Sequence, residues 1–147
     1  MRLKKIVEIK IGKAENGLLK AALQAMRNAY VLWGFNVGAA VLASDKRVYE
    51  GCNVESWISG LGICAERCAI NHAVLHGNRR IKAIAIVMDA NRHDKPRPCG
   101  ACLQYIHDFA VNSKIKVIMA KAERQRLLVD TVDVKTVEEL FPFPYNK

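Results

Sequence analysis

Apolar positions recur along this chain in two rhythms, one helical and one extended. From Ala14 to about Val31, Leu18, Leu19, Ala22, Leu23, Met26 and Tyr30 fall at helical spacing with no internal proline, which predicts a first helix with one buried stripe. Ahead of it, alternation over residues 5–11 predicts a short strand or ordered arm. Asn36 to Ala43 and Arg47 to Asn53 are β-rich and separated by Ser44-Asp45-Lys46, a turn composition, so they read as a hairpin; Gly60 to Gly62 marks a loop. Cys64 to about His76 has helical composition with a stop at Gly77-Asn78. Ile81 to Met88, apolar but for Lys82, suits a strand covered on both faces, and a polar loop with Pro96 and Pro98 follows. A helix starting after Pro98 and running to about Val111, a strand at Ile115 to Ala120 and a less regular one at Leu127 to Val134 come next. Thr136 with Glu139 can cap a final turn. Helices alternating with strands from 64 to 120 predict crossover connections and an α/β sheet with helices on both faces.

Composition narrows this without redirecting it. The 147 residues suffice for one domain with a real core, and a mean hydropathy of +0.01 with 25% charged residues excludes disordered and coiled-coil classes. The longest apolar run, Ala83 to Met88, is far short of the roughly twenty residues of a membrane span, and Glu8 and Lys10 interrupt any signal-peptide core near the start. A cytoplasmic protein is the expectation. Residues 1–13, read as a basic N-terminal arm ahead of a domain at 14–147, supply +4 of the net charge of +9, and the rest is scattered as on a solvated surface. Basic residues are not interleaved with aromatics as in a single-strand binding groove, which argues against nucleic acid. Five cysteines, an odd set, point to metal or catalysis rather than disulfides.

The chemistry concentrates in two pieces, Cys64-Ala65-Glu66-Arg67 and, 35 residues after Cys64, Pro98-Cys99-Gly100-Ala101-Cys102. Three thiolates at two helix starts can hold one metal and leave a fourth position open. A structural zinc takes four protein ligands, whereas a catalytic one keeps a water whose pKa falls to roughly 7. Glu66 stands next but one to a ligand and can serve as the base, helix N-termini favour thiolates, and Arg67 is placed in sequence to offset the negative charge of the site. Cys68, four residues from Cys64, could make a closed four-cysteine site, but it lies a turn deeper and reads as a small buried residue, as does Cys52. His72, His76, His93 and His107 read as core or surface residues without ligand spacing.

Cys-x-Glu followed by Pro-Cys-x-x-Cys is the signature of zinc nucleobase deaminases. Together with Phe35-Asn36-Val37-Gly38-Ala39-Ala40 and Gly51-Cys52-Asn53-Val54-Glu55, in this order and spacing, the chain from about Ala14 to Tyr145 resembles the small three-cysteine cytidine deaminases. The resemblance implies a three-layer α/β/α sandwich with a mixed five-stranded sheet and one Zn²⁺ per subunit held by Cys64, Cys99 and Cys102. It further implies Glu66 as proton carrier, Phe35 and Ala65 at the base, and Asn53 and Glu55 at the ribose hydroxyls. Tyr145 would reach a neighbouring subunit's site in a homotetramer. An Asn and a carboxylate two apart on a strand end also point to one side, which suits gripping a diol. The sequence departs from the family pattern at Leu32-Trp33-Gly34, where relatives carry Pro-Tyr-Ser, at Ser56-Trp57-Ile58-Ser59, where they carry Asn-Ala-Ser-Tyr, at Tyr145, where Phe is usual, and in the arm at 1–13, which has no counterpart.

The implied reaction is hydrolytic deamination of cytidine and deoxycytidine to uridine and deoxyuridine with release of ammonia, a step of pyrimidine salvage. Three rivals stand beside it: a deaminase of another aminopyrimidine such as blasticidin S, a polynucleotide cytosine deaminase, and a non-catalytic zinc-stabilised domain. Glu55 separates the first, since the resemblance gives the antibiotic enzymes no carboxylate there. Cys64, where polynucleotide deaminases usually have histidine, argues against the second, and Glu66 beside three ligands against the third.

Overall fold

The computed structural model of the chain describes residues 11–91 and 94–146. Its elements run α1 (Lys13–Met26), β1 (Val37–Ala43), β2 (Val48–Cys52), α2 (Ala65–Leu75), β3 (Ile81–Asp89), α3 (Gly100–Phe109), β4 (Lys116–Glu123), β5 (Arg126–Thr136) and α4 (Val137–Leu140), with a short 3₁₀ turn at Ser59–Leu61. The five strands form one sheet in the order β2-β1-β3-β4-β5. β1 is antiparallel to β2 and to β3, β3 is parallel to β4, and β5 returns antiparallel, so the sheet is mixed. The expected hairpin and the crossover between β3 and β4 are both present. The expected strand or arm at residues 5–11 falls, but for Ile11, outside the described residues, as does His93.

Two cores flank the sheet, as the runs in β1, β3 and β4 require of strands covered on both faces. Leu18, Leu19, Ala22 and Met26 of α1 pack on one face against Ala40, Ala85, Val87, Ile118 and Ala120. On the other, Ala65, Ala69, Ile70 and Ala73 of α2 and Ile106 of α3 meet Ala39, Val41, Ile84, Ile86, Val117 and Met119. α2 sits close because Gly51 of β2 has no side chain. A Cβ there would run into backbone atoms of Ala65, Cys68 and Ala69, and Gly38 makes the same room for α1 against Ala22 and Met26.

This topology fixes where a site can form. β2 and β3 are both antiparallel to β1 and therefore run the same way, so α2, entered from β2, and α3, entered from β3, begin at the same end of the sheet. That is the carboxyl end of the parallel strands, where open α/β sheets carry their ligands.

Two sequence expectations are corrected. The first helix ends at Met26, not near Val31: the amides of Arg27, Asn28 and Ala29 tighten onto carbonyls three residues back, and Tyr30 then exchanges backbone hydrogen bonds with the exit of β2, Tyr30 N to Asn53 O at 3.1 Å and Glu55 N to Tyr30 O at 2.8 Å. Sheet-like pairing displaces the last turn, and Tyr30 is exposed instead of joining the buried stripe. Cys52 and Cys68 are half-buried rather than buried. The two C-terminal phenylalanines differ, Phe141 being half-buried and Phe143 exposed. Elsewhere local chemistry behaves as read: Gly77 takes a positive φ of 84° after α2, and Thr136 with Glu139 forms a capping box on α4.

Candidate active site and metal centre

Cys64 is the N-cap of α2 and Cys99 the N-cap of α3, both with extended backbone, while Cys102 lies in the first turn of α3. Their three Sγ atoms lie within 4.8 Å of one another, Cys64 and Cys99 at 4.0 Å. Three thiolates on a tetrahedral zinc at about 2.3 Å stand roughly 3.8 Å apart, so the donors fit that ion by type and by spacing. All five cysteines are free thiols, and Cys68 is not part of the cluster. A closed four-cysteine site is therefore absent among the described residues.

The electrostatics follow from the neighbouring thiols and from Arg67. Its Nη2 lies 3.6 Å from Cys64 Sγ, as the adjacency in sequence suggested, and its buried Nε has no hydrogen-bond partner. A hydrogen bond from the Cys102 thiol, and after it the Arg67 guanidinium, bring the Cys64 thiol down to about 5. Cys102 moves the opposite way, held protonated by that same bond and by burial. Without metal the cluster thus holds its negative charge on Cys64.

Glu66 is the one buried charged side chain among the described residues, with 5% of its surface exposed. Burial above all, and next the charge on Cys64, push its carboxyl up to about 7. A carboxyl group in that range can take and return a proton near neutral pH.

A cavity of about 280 Å³ opens over this group and is also lined by Phe35, Asn53, Glu55 and Ala65. All the residues implied for the base and the ribose except Tyr145 therefore meet in one place. Asn53 and Glu55 have a second duty that sequence reasoning missed. Asn53 Oδ1 accepts from Val37 N at 2.8 Å and its Nδ2 donates to Phe35 O at 2.9 Å, fixing the start of β1. Glu55 Oε2 accepts from the amides of Leu32, Trp33 and Gly34 at 2.5, 2.9 and 3.3 Å, and these amides, Trp33 first, hold its carboxyl below the usual range. Trp33 and Trp57, two of the departures from the family pattern, meet edge to face at 5.4 Å on either side of Glu55 in sequence, and both are exposed.

Tyr145 is outside the cavity. It is exposed, and its backbone is tied to α3 by Gln104, which donates to Tyr145 O at 2.9 Å and accepts from Tyr145 N at 2.8 Å.

Arg97 lines the cavity unforeseen, as do Val37, Ile63 and Met88. Its Nη2 donates to Asp133 Oδ2 on β5 at 2.7 Å, and its Nη1 lies 3.6 Å from Met119 Sδ, so the loop leading to Cys99 is tethered across the sheet. A larger hollow of about 460 Å³ lies beyond this ion pair, but it contains none of the thiols. The only sequence signal for Arg97 was a cation between two prolines beside a ligand.

Comparison with known proteins agrees with this geometry. The family model described as the cytidine and deoxycytidylate deaminase zinc-binding region matches residues 13–119. A cytidine deaminase of Sporosarcina psychrophila is 37% identical over 131 residues, covering 88% of this chain and 90% of its own length. The crystal structure of cytidine deaminase from Burkholderia pseudomallei superposes with a TM-score of 0.77 at 33% identity, covering 88% of this chain and 98% of that one. A blasticidin-S deaminase of Bacillus cereus is similar at 27% identity over 143 residues, 93% of this chain and 96% of its own.

Proposed function

The chain belongs to the cytidine and deoxycytidylate deaminase zinc-binding family, and from that premise we propose that it is a zinc enzyme converting cytidine and deoxycytidine, with water, into uridine or deoxyuridine and ammonia. The observation that carries this reading is the buried Glu66 beside three convergent thiols, in a cavity that also holds Asn53 and Glu55. Cys64, Cys99 and Cys102 would hold zinc, which when bound supplies Lewis acidity and a source of hydroxide near neutral pH. Arg67, beside Cys64, offsets the charge of three thiolates.

Glu66 takes the proton of the attacking water and delivers it to N3 of the ring as C4 is attacked. A further proton moved by Glu66 lets the amine leave as ammonia. Phe35 and Ala65 border the base. Asn53 keeps one N–H and Glu55 its Oε1 without a partner among the described residues, which leaves a donor and an acceptor for two ribose hydroxyls. Because the other atoms of both side chains are held by backbone, the grip is built before substrate arrives.

The active unit is residues 14–147, with 1–13 a basic arm, and a homotetramer lets the exposed Tyr145 close over a neighbour's site. A place in pyrimidine salvage in the cytoplasm accords with a small nucleoside substrate and with the described residues, where no helix is long and apolar enough to cross a membrane.

Zinc-loaded protein is incubated with cytidine, deoxycytidine, cytosine, their nucleotides and blasticidin S, following ultraviolet loss and ammonia. Turnover of both nucleosides, with cytosine poor, is expected. Blasticidin S consumed in preference to cytidine would replace the reading with that of the Bacillus cereus relative.

A further inference from the structure

α2 carries chemistry at both ends. Cys64 caps its start and Glu66 lies in its first turn, while His72 in its last turn and His76 at its C-cap are four residues apart and so share one face. Both histidines are exposed. Their rings meet at a centroid separation of 4.9 Å with planes at 66°.

The hydrogen bonds of the two rings are matched. His72 Nδ1 lies 2.9 Å from Glu50 O, and His76 Nδ1 lies 2.9 Å from His72 O. A carbonyl oxygen can only accept, so Nδ1 carries the ring proton in each, and Nε2 of each neutral ring keeps its lone pair. This is the arrangement found in metal-binding histidines, whose second nitrogen is fixed by a carbonyl or carboxylate.

One side of the pair is also braced. The ring of Tyr49 packs on both imidazoles at 5.3 and 5.5 Å, its hydroxyl donates to Asp45 Oδ2 at 2.8 Å, and Asn78 Nδ2 bridges that hydroxyl and that carboxylate at 2.9 Å each. Two imidazoles sharing a metal at about 2.0–2.1 Å have ring centres roughly 4.5 to 5 Å apart, the spacing seen here. Eight residues of helix put His72 about 12 Å from Cys64, too far to share an ion with the thiols.

We propose that His72 and His76 form a second metal site, a surface chelate for a borderline divalent cation of imidazole preference such as Ni²⁺, Cu²⁺ or Zn²⁺. Its remaining coordination positions are open to water or to a ligand from another molecule. The thiol site and the chelate then grip opposite ends of one helix, so the second ion stiffens the element that positions Glu66 without touching substrate.

The test uses untagged, zinc-loaded protein titrated calorimetrically with Ni²⁺. One Ni²⁺ per chain beyond the zinc is expected. His72→Gln and His76→Gln should each weaken that binding at least about ten-fold, since half the protein ligands are gone, with zinc content and nucleoside turnover unchanged and His107→Gln behaving as wild type. Absence of binding to the wild-type protein, or equal binding by both variants, overturns the proposal. As a measurement independent of the variants, paramagnetic Ni²⁺ should broaden the ring-proton resonances of His72 and His76 before any others; broadening that begins at another histidine also overturns it.

Discussion

Replacing Glu66 by glutamine separates the two things its burial does. In the metal-free protein the carboxyl titrates at about 7 instead of the ordinary 4.5, because burial and the Cys64 charge disfavour the ionised form. A carboxyl whose pKa is raised by folding stabilises the fold fully below its unfolded value and loses that contribution as pH climbs through its folded value. At 1.36 kcal/mol per pH unit, the span from 4.5 to about 7 amounts to roughly 3 kcal/mol, a large part of the ~5–15 kcal/mol of a typical domain. The amide of the Glu66→Gln variant keeps the shape and cannot ionise. Chelator-treated wild type and variant, compared by urea unfolding under reducing conditions, should be similarly stable near pH 5 and should diverge by about 2 to 3 kcal/mol in favour of the variant at pH 8. Adding zinc should shrink the gap, since a dication beside the carboxylate favours its charged form. In the zinc-loaded variant, turnover should fall at least about 10²-fold with metal content unchanged. Stability curves that stay parallel from pH 5 to 8 would refute the argument that Glu66 is held uncharged by the fold, and near-normal turnover would remove it from the chemistry.

Cys102→Ser should lose zinc and lower the unfolding temperature, whereas Cys68→Ser should retain zinc by metal analysis; the reverse pattern would mean a different ligand set. Asn53→Ala and Glu55→Ala should each reduce cytidine turnover by an amount equivalent to roughly 1 to 3 kcal/mol while changing cytosine turnover less, and equal losses on both substrates would deny a ribose grip. Arg97→Gln and Asp133→Asn should each release the loop that carries Cys99, seen as faster zinc loss to a chelator; because the pair is about one-third exposed, the stability change should stay near 1 kcal/mol. Deleting residues 141–147 should cut turnover far more than zinc content and lower the mass found by light scattering from a tetramer. A truncated protein with full turnover would show each site complete within one chain.

Much of this was legible in the sequence because it is local. The strands announce themselves as apolar runs, and the thiols sit at helix starts that Gly62, Pro98 and Gly100 already mark. What the sequence concealed depends on partners brought together by the sheet. The end of α1 is decided by Asn53 and Glu55, more than twenty residues on, which offer Tyr30 a better set of hydrogen bonds than another helical turn. Arg97 looked like loop charge until β5 placed Asp133 against it, 36 residues away. The capture of the 32–34 amides by Glu55 has no signature in composition. His72 and His76 stood at helical spacing in plain view, yet their shared role emerges only from the carbonyls and the Tyr49 ring that orient them.

The position of the thiols on two successive connections bears on how the protein acquires its metal. Cys64 and Cys99 are 35 residues apart, and the ring closed through a shared ion encloses all of α2 and β3. Closing such a ring costs entropy that grows only with the logarithm of its length, and the sheet meets that cost when β3 settles between β1 and β4. A slip of β3 by one residue would turn its side chains to the opposite face and carry the start of α3 away from that of α2. High-affinity metal capture is then a late event that only correctly threaded chains complete. Where zinc is in excess, the metal content of a preparation accordingly counts its properly folded molecules, whereas growth under zinc limitation should yield folded chains waiting for an ion rather than unfolded ones.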